Sequence, residues 1–543
     1  MLIQKSGHII VNNSTNIYEE GSIFIYWEGF IYGFNQQSGK KTIREFFKNL
    51  QIHGFCSAIS KLHGSFVLVL ANEEKQEILV ASDASGQMPI YKNQDMISSS
   101  LIELTERTDL NKEDLSLDKA VEFVLTGFQF GPKVLFDAIE QIPPSKIVSV
   151  KKRNFFLINR DKEDDPFLRT VKHDSISEYL NQWEILANAI RKEKVSIDLT
   201  GGTDSRILVA ILNHLGCSFE TAISGQPTHP DVIISSEIAK HLNSHEHFTS
   251  IHKVDEDTLI SDLYEIAKNS KGINDFVGMH RLFQLHKERA KRGISLALGG
   301  GAGELYKDAK QWRCALLSCN SKNRLVDKLV NTGFVGWGMG SQTPDQLFQT
   351  EIREKSANYK KDTKKFLKDI FPEYHKCDVF RLADEIFYKY IIAAPRGFSP
   401  LMFPHYSPLL DAAFVHYGIN LPKHLRFGHQ FYREIIAVLD TKQEIASLPT
   451  TRLGMTLLPK RIIPEVLTSV FLNLQKRKTT ISLNDPNLYS LLRKRLKRSN
   501  ILKELVEIGL LNPKIVIDNI PNKNLGRLVS LWIFLKILDK RKN

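Results

Sequence analysis

VSIDLTGGTDSRILVAI, residues Val195 to Ile211, is the stretch on which the fold turns. Val195–Leu199 is apolar, β-leaning, too short for a helix and bounded by a glycine pair, which predicts a buried strand. Thr200-Gly201-Gly202-Thr203-Asp204-Ser205 follows as a tight turn, and from Ile207 to Leu215 apolar residues recur at helical spacing. Strand, glycine turn and helix together aim backbone N–H groups and the positive end of a helix at an anion. Gly201 and Gly202 leave room for a phosphate chain, Thr200 and Ser205 offer hydroxyls, and Asp204 offers a hard oxygen ligand for Mg²⁺. No lysine follows the glycines, so this is not a Walker-type loop. An ordinary strand-to-helix turn needs only the glycines; the threonine, aspartate and serine around them favour phosphate.

The stretch resembles the SGGxDS pyrophosphate loop of the ATP-pyrophosphatase enzymes, which include asparagine synthetases, GMP and NAD synthetases and tRNA-thiolating enzymes. The flanking chain has to choose among these.

With 543 residues there is length for two domains, and 42% apolar with 25% charged residues is ordinary for a globular protein. The longest apolar candidate, Leu528–Leu538, is about half the length a membrane span needs and contains Lys536, so no transmembrane helix and no membrane partner is expected. The first residues lack the apolar core and cleavage site of a secretory signal. Five scattered cysteines without a CxxC pair fit free thiols in a reducing compartment, the cytoplasm. The net charge of +12 is concentrated at one end: residues 451–543 hold 19 Lys+Arg against 6 Asp+Glu, and the rest is close to neutral. Lys476–Lys478 and Arg493–Arg498 are the densest clusters. A solvated face is the ordinary reading of such runs; an acidic or phosphate-bearing partner at 451–543 is the alternative.

Residues 1–160 read as β-rich. Ser65–Ala71 and Glu77–Ser82 predict a hairpin. Leu62–Phe66, Asp83–Tyr91 and Ile142–Ser145 resemble, in order, motifs of the N-terminal glutaminase domain of asparagine synthetases. That resemblance implies an α+β, Ntn-like domain. In the family a cysteine follows the initiator methionine and attacks glutamine; here that residue is Leu2, and the turn's arginine is Ala84. Leucine is no nucleophile, so no glutaminase activity is expected. A charged segment, 161–176, predicts a linker.

Residues 177–450 alternate strands and helices. Ser175–Glu193 predicts a helix, Phe219–Ser224 a strand, Val232–Leu242 a helix, the region around His245–Phe248 a short strand, and Ile294–Leu298 another strand. That alternation implies a doubly wound parallel sheet with ligands at the carboxyl ends of its strands. The last strand ends in Gly299-Gly300-Gly301-Ala302-Gly303-Glu304, which resembles the second nucleotide loop of the asparagine synthetases. The match puts Leu199 and Ser224 beside adenine. It extends the ATP-binding set over Leu199, Thr200, Gly201, Gly202, Thr203, Asp204, Ser205, Ser224, Leu298 and Gly299. Two family acids fall on Gly300 and Gly303, leaving Glu304 to share metal and catalytic duty with Asp204. Cys377–Ile392 and His405–Leu421 read as parts of a helical half, and 451–543 as a basic helical extension. A lysine that contacts phosphates in the family falls on His429, or on Gln430 after a one-residue slip.

The resemblance covers roughly residues 60 to 440 and implies an ATP-dependent ligase with ATP and Mg²⁺ as cofactors, Asp204, Glu304 and His429 being the catalytic candidates. A small-molecule or peptide carboxylate would be adenylated, and an amine on the substrate, or free ammonia, would displace AMP. β-Lactam synthetases and lasso-peptide cyclases are relatives that work without the cysteine. Two other classes fit less of the chain. One is a nucleotide-binding pseudoenzyme that survives as a scaffold, motivated by Gly300, Gly303 and His429. The other is an RNA-modifying ATP-pyrophosphatase, motivated by the basic tail.

Overall fold

In the N-terminal half a central strand sorts its side chains to two cores. The computed structural model describes residues 1–539 apart from 12–14, 109, 130, 162–175, 243–245, 251–253, 332–346, 370–377, 390–401, 452–453 and 459–486. Strands β1 (Leu2–Gln4), β2 (Asn16–Glu20) and β3 (Ile23–Gly33) precede helix α1 (Gly39–Ile59), which leads to β4 (His63–Asn72) and β5 (Glu77–Ser82). Alternate residues of a strand face opposite ways. Phe66, Leu68 and Leu70 of β4 pack with Phe46 and Phe47 of α1, while Val67 and Val69 pack with Met88 and with Ile3 and Ile97 of a second, small antiparallel sheet. Each such buried side chain contributes about 1.5–3 kcal/mol of transfer free energy. The β4–β5 hairpin forms as the sequence predicts, with Val69 opposite Val80. Strands β6 (Lys146–Lys151) and β7 (Asn154–Asn159) extend the larger sheet to the order β7-β6-β5-β4-β3-β2.

The middle of the chain opens with helix α3 (Ile176–Ile190), after α2 (Leu117–Thr126) of the first half. Strand β8 (Val195–Asp198), helix α4 (Thr203–His214), strand β9 (Phe219–Ser224), helix α5 (Pro230–Lys240) and strand β10 (His247–Ser250) then follow. Helices α6 (Glu256–Ser270) and α7 (Phe276–Lys291) lead to β11 (Leu296–Leu298) and, far along the chain, β12 (His405–Tyr406). The five strands run parallel in the order β10-β9-β8-β11-β12. The chain winds outward from β8 in both directions, so the loops leaving β8 and β11 face each other at the switch point.

One sequence expectation is corrected: His405 and Tyr406 lie in a strand paired with Ala297 and Leu298, and the α-helix starts only at Ala412. Glu304 sits in a four-residue 3₁₀ turn, Gly303–Tyr306. Of the Cys377–Ile392 helix, Val379–Phe387 is helical. The linker 162–175 and the Lys476–Lys478 cluster lie outside the described residues.

Later helices are α8 (Gln430–Leu439), α9 (Leu488–Lys497) and α10 (Asn522–Asp539). The apolar run Leu528–Leu538 belongs to α10, which is largely buried and packs on α2, α6 and α7. Its Arg527 donates to the carbonyls of Val124 and Leu125 at the end of α2, and its Asn524 donates to Val124. One apolar core accordingly runs from Tyr32 to Leu538, across the boundaries drawn near 160 and 450. Several cations of the basic tail are paired at home: Lys494 and Arg498 with Glu256, and Lys497 with Asp518. Among the described residues, no helix is long and apolar enough to cross a membrane.

The two halves meet on a polar chain. Asp411 accepts from the Gly64 N–H (3.1 Å) and the Tyr406 hydroxyl (2.9 Å) and lies 3.0 Å from His63 Nδ1; Tyr406 also shares a hydrogen bond with Tyr32. Burial alone would lower the His63 pKa, but the Asp411 charge and hydrogen bond outweigh it and raise it. The Asp411 carboxyl, despite burial, is held below its usual range by His63 and by backbone N–H donors. By linkage the histidine's contribution is complete below about pH 6.5 and is lost as pH rises through its raised pKa. The aspartate's contribution is present above about pH 3.9 and is lost as pH falls through its lowered pKa. His63→Gln should therefore cost about 1–2 kcal/mol at pH 6 and much less at pH 9. Urea unfolding at the two pH values checks this; an equal loss at both would remove the ion pair from the interface.

Candidate functional site

Asp204 stands at the first turn of α4, where a carboxylate is already favoured by the helix dipole. Its two oxygens are both engaged by one group: Lys307 Nζ lies 2.8 Å from Oδ1 and 2.9 Å from Oδ2. Lys307 is near the end of the second glycine loop, three residues after Glu304. Burial raises the pKa of Asp204, Lys307 pulls it down, and Glu304 pushes it up; the net direction is upward. Glu304 thus lies close enough to be felt, and its Oε2 is buried without a hydrogen-bond partner.

The glycines of the second loop are required by approach, not by a ligand. A Cβ on Gly303 would sit 2.1 Å from Asp204 Cγ and Oδ1, and one on Gly300 would sit 2.8 Å from the Ser205 nitrogen. Glycine at 300 and 303 is therefore built into how the loop packs on α4. Gly299 likewise lies under His405, whose Nε2 would be 2.8 Å from a Cβ there.

The first loop is closed from within. The Thr200 N–H donates to Ser205 Oγ (3.1 Å), the Gly201 N–H to Asp231 Oδ1 (3.0 Å) and the Gly202 N–H to Thr200 Oγ1 (3.2 Å). The space beside Gly201, expected to admit a phosphate chain, is taken by Thr451: a Cβ on Gly201 would meet Thr451 Oγ1 at 2.0 Å. Thr451 also bonds the Gly201 carbonyl through its N–H (3.1 Å) and Asp231 through its hydroxyl (2.7 Å). Arg206 brings this segment in. Fully buried, it donates to the carbonyls of Gly201, Ile445, Leu448 and Pro449, and burial lowers its pKa to about 10.

Of the residues expected beside ATP, Leu199 and Leu298 are fully buried and the Ser224 side chain is buried. The Ser224 carbonyl accepts from Arg281 Nη1 at 2.7 Å. Burial lowers the Arg281 pKa against the opposing charges of Asp198 and Asp231. Asp198 is itself paired with Arg289 at 2.6 Å, and burial notwithstanding its pKa is well below the usual range. Thr203 and Ser205 are buried, and His429, also buried, holds a left-handed backbone (φ 61°) with Nδ1 3.4 Å from Thr203 Oγ1. Gln430, the alternative match, donates to Glu434. The structure brings Asp204, Glu304 and His429 together at the head of α4.

Neither implied cofactor fits this donor set as it stands. Mg²⁺ would need oxygens that Lys307 already holds, and among the described residues no group of three or more His, Cys, Asp or Glu side chains is placed to bind a metal. ATP would need N–H groups and a carbonyl that Ser205, Asp231, Thr200 and Arg281 occupy.

Lys307, Arg281, Thr451, Asp231 and Arg206 are what the sequence reading missed. Lys307 carried a signal, as a cation just after the second loop, and Arg206 follows the first loop directly but reads as an ordinary helix residue; Arg281, Thr451 and Asp231 come from distant segments.

A cavity of about 750 Å³ lies elsewhere, at the amino end of β11, lined among others by Trp27, Phe30, Lys271 and Phe403. Glu28 in its wall binds Lys271 at 3.0 Å; burial would raise the Glu28 pKa, but Lys271 and the Met1 ammonium bring it down to about 2. Leu2, the residue after Met1, is fully buried in β1.

No family model and no curated protein matches the chain.

Proposed function

We propose that the chain is an asparagine synthetase-like pseudoenzyme: it keeps the doubly wound ATP-pyrophosphatase architecture and a glutaminase-like N-terminal half, and serves as a scaffold. One observation carries this reading. The Lys307 ammonium occupies both oxygens of Asp204, the one carboxylate the first loop offers a metal. An internal cation there supplies the charge that Mg²⁺ would bring, and Thr451, Asp231 and Arg281 fill the rest of the cradle in the same way.

A second reading, an adenylating amide ligase acting on a carboxylate, is favoured by Glu304. Its unpartnered buried oxygen beside Asp204 is the unspent acid that such chemistry would require. Two measurements separate the readings. Titration calorimetry with 2 mM ATP, with and without Mg²⁺, should give no Mg²⁺-dependent heat, and ATP–pyrophosphate exchange in pooled carboxylate substrates should stay at the heat-killed level. Exchange above control removes the scaffold reading and restores the ligase; Mg²⁺-dependent heat without exchange removes the filled cradle and leaves a nucleotide-binding scaffold.

A further inference from the structure

The cavity of about 750 Å³ at the amino end of β11 stands apart from the head of α4 and has the size of a small-molecule site. It opens between the two halves of the chain, with β3 and the start of α1 on one side and residues 295–296 and 402–404 on the other. Two of its walls are aromatic rings held from behind. Phe30 is half-buried against Tyr32 and Tyr406, each with ring centroids 5.5 Å away, and Phe403 is half-buried and stacked on His286 at 4.9 Å. Met88 and Met402 also line the space, and a thioether packs well against an aromatic ring. Such walls suit a flat aromatic body.

The polar end of a ligand is decided by what Glu28 and Lys271 have left to offer. Glu28 is 2% exposed and both its oxygens are taken. Its Oε1 accepts from the Met1 ammonium (2.9 Å) and the Thr15 hydroxyl (3.1 Å), its Oε2 from the Ser99 hydroxyl (2.9 Å) and Lys271 (3.0 Å). A carboxylate oxygen has two lone pairs, so Glu28 has no acceptor to spare. The Lys271 ammonium carries three N–H donors, gives one to Glu28 and is 20% exposed. Its root is fixed: the backbone is left-handed (φ 53°), and the Lys271 carbonyl accepts from the Leu101 N–H at 2.7 Å. Unused donors on a cation select an anionic acceptor. Of the other charged residues in the lining, Lys40 is exposed and adds positive charge, while Glu193 accepts from the Ser295 hydroxyl at 2.6 Å. We propose that this cavity binds an aromatic carboxylate, with the carboxylate on Lys271 and the ring against Phe30 and Phe403.

Titration calorimetry with naphthylacetate should show a single site per chain that fills below about 1 mM. L-Glutamine, which has a carboxylate but no ring, should not compete. Lys271→Met keeps an apolar stem and leaves Glu28 its other three donors. It should weaken naphthylacetate by about 10- to 100-fold, the worth of a charge-assisted hydrogen bond, and leave the neutral naphthylethanol unchanged. Lys271→Arg should keep the site. Ser295→Trp, at an exposed position of the lining, leaves the Glu28 cluster intact and should abolish binding of both compounds. No binding by the wild type, equal affinity in Lys271→Met, competition by L-glutamine, or a Ser295→Trp chain that still binds would each overturn the proposal.

Discussion

Arg426→Met lowers the stability of the chain by about 3–5 kcal/mol, the cost of leaving a buried charge without its partner. Arg426 and Asp384 are both 1% exposed and paired in parallel, Nη1 to Oδ2 at 2.5 Å and Nη2 to Oδ1 at 3.0 Å. The guanidinium lies over the Trp312 ring at 4.0 Å. Without it the Asp384 carboxylate keeps only the neutral donors Gln311 Nε2 and Trp312 Nε1. The Asp308 N–H donates to the Arg426 carbonyl, so the pair also fixes the turn that presents Lys307. The double variant Arg426→Met/Asp384→Leu should regain most of the loss, because no charge is then stranded. Chemical denaturation measures both, and a single variant as stable as the wild type would show that this pair does not anchor the turn.

Lys307→Met has a smaller thermodynamic effect and a more telling one. The pair is partly open to solvent, 12% for Lys307 and 19% for Asp204, so about 2 kcal/mol is expected. Asp204 would then face Glu304 without the ammonium that now holds both its oxygens, and its pKa, already raised, would rise further. A carboxyl with a raised folded pKa is most favourable to the native state below about pH 3.9, and that benefit is lost as pH rises through the folded value. The variant should lie closest to the wild type near pH 5 and fall away by pH 8. It should also gain thermal stability from millimolar Mg²⁺, which the wild type should not. Equal responses to Mg²⁺ in both proteins would mean that Lys307 does not stand in for a metal.

How far the sequence reaches differs from element to element. Phe219–Ser224 and Glu77–Ser82 coincide with their strands to the residue, because apolar runs bounded by polar turns carry their own signal. The two glycine loops were legible as a facing pair because both follow core strands. His405–Tyr406 was not: two residues have no periodicity, and their strand character comes from pairing with β11. The contents of the cradle were equally hidden. Thr451 lies 220 positions from Asp231, and Arg281 is one of many cations along α7. Motif spacing says where a loop stands; which distant side chain fills it is decided by packing.

The bond between Asn524 and the Val124 carbonyl spans 400 positions. On a ribosome adding roughly 5–20 residues per second, α2 waits roughly 20–80 s for the helix that covers it. Meanwhile its apolar face, with Val121 and Val124, is open to water or to whatever binds exposed chain. Completion of this protein is therefore gated by synthesis, and a chaperone's time on the nascent chain should end only when α10 has emerged.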